Sequence, residues 1–158
     1  MEMYAQLIVK TETSVWQQIK EIVEDTAELE TSSLKSGFGQ LYIMGSSDLS
    51  DDIDEMLQAI SKVTQNPVLV WLDGDEEPEP ELISLVAGNI NRNTLSSSYF
   101  EYLEEADEDE LDSHDRSALR LGASGYFEKQ YQDWIAPYTG QFNDADFKEK
   151  LEDIVDMC

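Results

Sequence analysis

Apolar positions along the chain fall into short blocks whose period changes repeatedly between that of a strand and that of a helix. Residues 3–9 form a brief apolar run. Over residues 14–29, Val15, Trp16, Ile19, Ile22, Val23 and Leu29 then recur at the spacing of one helical face. A strand followed by an amphipathic helix is predicted. Gly37 and Gly39 punctuate the chain before a second apolar run, 41–44, which ends at Gly45 and Ser46. Ser50 follows as a helix cap, with Asp51 and Asp52 in the first turn, where carboxylates meet the positive end of the helix dipole. Ile53, Met56, Leu57, Ile60 and Val63 share one face of that helix, so the strand–helix unit is repeated.

Asn66-Pro67 breaks the second helix, and residues 68–72 read Val-Leu-Val-Trp-Leu. An unbroken apolar run of this length suits a strand covered on both faces, which makes it the expected central strand. Residues 73–81 form an acidic connection. Pro80 stands where a first helical residue would be, ahead of Leu82, Ile83, Leu85, Val86 and Ile90, and a third helix is expected. Residues 94–103 mix Ser with Tyr99, Phe100 and Tyr102 and suit a fourth strand at an edge. Residues 101–115 hold nine acids and no Lys or Arg, the composition of a solvated loop or loose helix. Beyond them lie Leu119, Leu121, Tyr126, Phe127, Tyr131, Trp134 and Ile135. After a break at Pro137 and Gly140, Asn143 caps a last helix carrying Phe147, Leu151, Ile154 and Val155. The alternation predicts an α/β fold: one small acidic domain over residues 1–158, with a central, mostly parallel sheet and helices packed on it. The alternative is an α+β, ferredoxin-like arrangement with an antiparallel sheet.

Charge changes this picture more than any motif does. The 158 residues include 35 Asp+Glu against 10 Lys+Arg, a formal net charge of −25. A small domain ordinarily carries a charge of magnitude about 2–8, so this chain folds against considerable self-repulsion. At 41% hydrophobic residues, with three Trp, seven Tyr and five Phe, it nonetheless has the material for a core. Ten scattered basic residues supply no patch that could displace counterions from a phosphate backbone, so nucleic acid is not an expected ligand, and an anionic membrane is disfavoured for the same reason. The single cysteine, Cys158, precludes an intrachain disulfide and a zinc site built on several cysteines. With no apolar stretch of signal-peptide or membrane-spanning length, the expected setting is cytoplasmic.

Motifs of catalysis are wanting. The only histidine, His114, lies in Ser113-His114-Asp115, and side chains adjacent in sequence rarely converge as a triad. The acids of 73–77 and 107–115 are oxygen-rich, but Leu111 stands at the fifth position of the nearest approach to an EF-hand. Gly37-Phe38-Gly39 lacks the third glycine and the Lys-Ser/Thr pair of a phosphate loop. Pairs of carboxylates arise by chance among 35 acids and so signal no glycosidase. No catalytic residue, metal ligand or cofactor is expected. What stands out is the placement of charge: between Asp73 and Asp115, Arg92 is the only basic residue among fifteen acids. The candidate partner-binding surface is therefore Asp73, Asp75, Glu76 and Glu77, together with Glu104, Glu105, Asp107, Glu108 and Asp109. Tyr99 and Tyr102 are expected as apolar anchors within this anionic rim. The aromatic C-terminal third around Tyr126, Tyr131 and Trp134 is the alternative surface.

In size, charge and poverty of catalytic motifs, the whole chain resembles the bacterial immunity proteins that neutralise nuclease toxins and, more distantly, the DNA-mimic inhibitors of phages. The resemblance implies a protein without enzymatic activity or cofactor. It would bind a basic toxin or nuclease domain, with carboxylates standing in for phosphates. Two other classes remain open: a small acidic adaptor or regulatory interaction domain, and a divalent-cation-dependent enzyme using its carboxylates.

Overall fold

A computed structural model describes residues 2–74 and 79–157. The chain divides into two compact units, Met1–Thr94 and Leu95–Cys158. The first contains β1 (Met3–Lys10), α1 (Thr13–Glu24), β2 (Glu28–Lys35), β3 (Phe38–Gly45), α2 (Leu49–Ile60), β4 (Val68–Gly74), β5 (Glu81–Val86) and β6 (Asn89–Thr94). Its six strands form one sheet in the order β2-β3-β1-β4-β5-β6.

Every neighbouring pair of strands is antiparallel, so the expected mostly parallel α/β sheet is replaced by an α+β architecture. The reason lies in a tight turn. Ser36 and Gly37 both have positive φ (55° and 80°), the backbone of a two-residue hairpin whose twist matches its strands. β3 thus folds straight back along β2 and inserts between β2 and β1, which splits the strand–helix–strand crossover with an antiparallel neighbour. β1 in turn lies between β3 and β4, the strands that flank α2. The first four strands so take the split order of the ferredoxin-like alternative. The β5–β6 hairpin extends the sheet beyond β4.

Three further expectations are corrected. The helix expected from Pro80 is the β5–β6 hairpin, turned by Ala87 and Gly88 at φ 51° and 78°. Leu82, Ile83 and Leu85 fit a strand buried on both faces as well as they fit a helix, and the turn decides between the two. Conversely, the strand expected over 94–103 is the helix α3 (Ser97–Glu105), whose start is fixed by the Ser96 hydroxyl accepting from the Tyr99 amide at 3.3 Å. α1 also ends before Leu29, and the polar, exposed β2 follows it as an edge strand.

One face of the sheet is covered by α1 and α2. Trp16, Ile19 and Val23 from α1, and Ile53, Met56, Leu57 and Ile60 from α2, pack on alternate strand residues such as Leu7, Val9, Leu41, Ile43, Val68, Val70 and Leu72. The intervening Ile8, Leu69, Trp71 and Leu82 are buried too, so β4 is buried on both faces, as its unbroken apolar run indicates. Arg92 on β6 ties the hairpin to α2. Its guanidinium donates to the Glu81 carboxylate at 2.6 Å, the Ser50 hydroxyl at 2.7 Å, the Ser50 carbonyl at 2.9 Å and Asp54 at 3.3 Å.

The second unit is helical. After α3 come a 3₁₀ turn (Glu108–Glu110), α4 (Ser113–Ile135) and α5 (Ala145–Asp156). α4 is broken at Gly122, with φ 74° and ψ 170°, a conformation almost confined to glycine. Phe100 and Phe127, and Trp134 and Phe147, meet edge to face with centroids 5.3 Å apart in each pair. Asn143 accepts from the Ala145 amide at 3.1 Å, but the N-cap position of the last helix is Asp144 and not the expected Asn143. Among the described residues, no helix is long and apolar enough to cross a membrane.

Gly39 lies against the Trp16 ring, and an added Cβ would come within 2.3–2.7 Å of three ring atoms. Gly39→Ala is expected to cost about 1–3 kcal/mol by overpacking, read as a lowered thermal midpoint. An unchanged midpoint would show that the ring yields freely. Ala87→Asn should act in the opposite direction, raising the midpoint, because Asn tolerates the positive φ that Ala87 adopts under strain.

Candidate functional site

The acidic surface is built from the helical phase of α3. Phe100 and Leu103, three residues apart, point inward and are buried, which leaves Glu101, Tyr102, Glu104 and Glu105 facing water. The helix stops at Ala106, where the backbone becomes extended. Asp107, Glu108, Asp109 and Glu110 then make the exposed 3₁₀ turn, pinned from below by the buried Leu111. The Asp112 carboxylate accepts from the Asp115 amide at 2.8 Å and caps α4. This stretch is therefore a helix, a turn and a capped helix start, with its acids at the surface.

Its charge is uncompensated. Ion pairs join Arg92 to Asp54 and Glu81, and Lys148 to Asp144. Among the described residues, none engages a carboxylate of residues 101–112. Arg116, the nearest basic residue in sequence, donates to the Glu108 backbone carbonyl at 3.0 Å and not to a carboxylate.

The two tyrosines expected as anchors have different surroundings. Tyr102 is half exposed, at 50%, an apolar ring standing among the carboxylates of α3. Tyr99 is half-buried, and its hydroxyl donates to the Asp115 carboxylate at 2.5 Å. Its ring packs with Phe100, His114 and Tyr126, at centroid distances of 5.6, 6.5 and 5.8 Å. Burial first, and then the Asp115 carboxylate, push the Tyr99 hydroxyl well above the usual tyrosine pKa. Tyr126 is raised by the same two causes, and Tyr131 by burial and by the hydrogen bond it donates to Asp144.

Thus Tyr102, Glu104, Glu105, Asp107, Glu108 and Asp109 lie on one continuous exposed segment of the second unit. Asp73 belongs to the first unit, opposite Tyr4 at the end of β4, with its carboxylate accepting from the Gly74 amide at 2.9 Å. Asp75, Glu76 and Glu77 lie outside the described residues. The aromatic alternative in the C-terminal third is not an open surface. Tyr131 and Trp134 are buried, and Tyr126 is held in the ring cluster, its hydroxyl 3.4 Å from the His114 Nε2.

Two depressions among the described residues add to this picture, and sequence reasoning reached neither. In the first unit, a hollow of about 690 Å³ is lined by Glu2, Glu24, Asp25, Glu28 and Asp52 around Met44 and Leu49. In the second, a groove of about 520 Å³ is lined by Ser97, Ser98, Phe100, Glu101 and Glu104 of α3, Leu119, Gly122 and Ala123 of α4, and Val155 and Met157. A signal for the groove was present: Leu119 and Leu121 are exposed leucines beside Gly122, where the helical phase resets. Among the described residues, no three His, Cys, Asp or Glu side chains are placed to hold a metal ion.

The raised tyrosines give an alkaline limit to stability. Tyr42, Tyr99, Tyr126 and Tyr131 hold their protons more tightly folded than unfolded, where they titrate near pH 10. Their contribution is complete below about pH 10 and is lost as the pH rises above it toward the folded values. The denaturation midpoint should fall steeply in that alkaline window, and less so in Tyr99→Phe and Tyr131→Phe. An identical fall in both variants would locate the sensitivity elsewhere.

The chain matches no known protein-family model, no characterised protein and no solved structure.

Proposed function

We propose that the chain is a non-enzymatic binding protein that neutralises a basic protein partner, in the manner of an immunity protein blocking a toxin or nuclease domain in the cytoplasm. The observation that carries this reading is the ordered, exposed run of carboxylates on α3 and the turn after it, unpaired among the described residues and arranged around the half-exposed Tyr102. Carboxylates held on a helix and a capped turn offer a fixed pattern of negative charge at little entropic cost, which a solvated tail would not. An aromatic ring within such a rim is the composition of an interface hot spot. The same charge disfavours nucleic acid and anionic membranes as ligands.

The test is inhibition. Titrated into basic nuclease domains purified from the same cells, the chain should abolish cleavage by one of them. The association rate should fall steeply as ionic strength rises through about 0.15 M, where the screening length is about 8 Å, with dissociation changing less. Added salt should meanwhile raise the chain's own unfolding midpoint by screening its self-repulsion. Glu104, Glu105, Asp107, Glu108 and Asp109 changed together to Lys should slow association at least tenfold while circular dichroism stays unchanged. A second block at Asp73, Asp75, Glu76 and Glu77 asks the same of the first unit. Binding that is flat with salt, or equally fast in both folded variants, would reduce the acidic runs to a solvated surface.

A further inference from the structure

The groove of the second unit combines features that the acidic surface alone does not explain. Its lining is mixed: Phe100 of α3, Leu119 of α4 and Val155 and Met157 at the end of α5 are apolar, and Ser97, Ser98, Glu101 and Glu104 of α3 are polar. Leu119 and Met157 are large apolar side chains left 38% and 57% exposed, an unfavourable arrangement for two residues beside a cavity that could have collapsed around them. Gly122, which interrupts α4, lines the groove, and an added Cβ there would meet nothing within 4 Å. Glu101 and Glu104 stand on the rim, and neither carboxylate makes an ion pair among the described residues.

We propose that this groove receives one apolar side chain from a Lys- or Arg-rich segment of the protein partner. The inference rests on the binding-protein reading and names where the partner is gripped. Charge complementarity selects the occupant. An apolar side chain that enters past Glu101 and Glu104 brings its flanking residues against two carboxylates, which favours basic neighbours and repels acidic ones. A second copy of this chain is disfavoured as the occupant, because each copy carries a net charge of −25. The volume of about 520 Å³ lies in the range of ligand pockets, and the flexible Met157 lets one site fit Leu, Met or Phe.

The test uses the full chain and two short Lys-rich peptides that differ only in a central Leu or Ser, with affinity measured by fluorescence anisotropy at low salt. The Leu peptide should bind at least tenfold tighter, the scale expected for burying one such side chain. That preference should vanish in Leu119→Asn/Met157→Gln, whose substitutions are at exposed positions and leave the net charge unchanged. Glu101→Gln/Glu104→Gln should instead weaken both peptides and keep the preference. Equal binding of the two peptides would overturn the groove while leaving the acidic surface intact. Binding of neither would overturn both readings. Sedimentation showing a dimer of the unliganded chain that dissociates in Leu119→Asn/Met157→Gln would assign the groove to a second copy and overturn the proposal.

Discussion

A carboxylate cannot leave water cheaply, and for a chain with 35 of them this constraint shapes everything else. No Asp, Glu, Lys or Arg among the described residues is buried. The core is consequently assembled from apolar and aromatic side chains, with hydroxyls such as Tyr131 bonded to a carboxylate at its margin. Cohesion has to come from area buried per residue, and β4 shows how that is achieved. A strand buried on both faces contributes five consecutive side chains to packing, where a strand at the surface contributes every second one. Ion pairs play a small part, and the most developed of them, around Arg92, spends a basic residue on joining the β5–β6 hairpin to α2. With so few basic residues, each one used internally leaves more of the outer carboxylates without a partner.

How much of this fold was legible depends on whether the information was local. β1, α1, β3, α2, β4 and α5 follow from periodicity because each writes its buried face into its own sequence. Strand direction does not. The sheet is antiparallel because Ser36-Gly37 turns β2 straight into β3, and a Ser-Gly pair amid polar residues gives little sign of a hairpin. The polar edge strand β2, with only Leu29 and Leu34 partly buried, lacked an apolar pattern to read. Residues 82–86 were ambiguous in another way, since their apolar run satisfies a helical face and a doubly buried strand alike. The Ala87-Gly88 turn is the arbiter, and alanine, which seldom takes positive φ, does not announce it.

The site was legible as composition but not as geometry. That residues 101–115 present charge could be read directly, whereas the distinction between Tyr99 and Tyr102 required knowing that the segment is helical. In a strand, Tyr102 would share the face of Phe100 and Tyr99 would take the opposite one. In a helix, Phe100 and Leu103 set the inward direction, Tyr102 is turned out, and Tyr99 is drawn into the ring cluster with Asp115 as its acceptor. The groove needed still more, because its lining joins residues of three helices separated by more than fifty positions.

Charge and groove have complementary strengths under this reading. A field of −25 speeds encounter with any basic surface and is relieved by any cation, so by itself it selects poorly among the many basic proteins of a cell. It also opposes folding, so whatever neutralises it stabilises the folded chain, through the same linkage by which any ligand of the native state does. The groove works by contact: it adds nothing to the rate of encounter, and it rewards only a partner that can place the right side chain within it. Rejection then comes from both terms together, since an apolar side chain flanked by acids is repelled at the rim, and a basic segment without one leaves the cavity unfilled and dissociates.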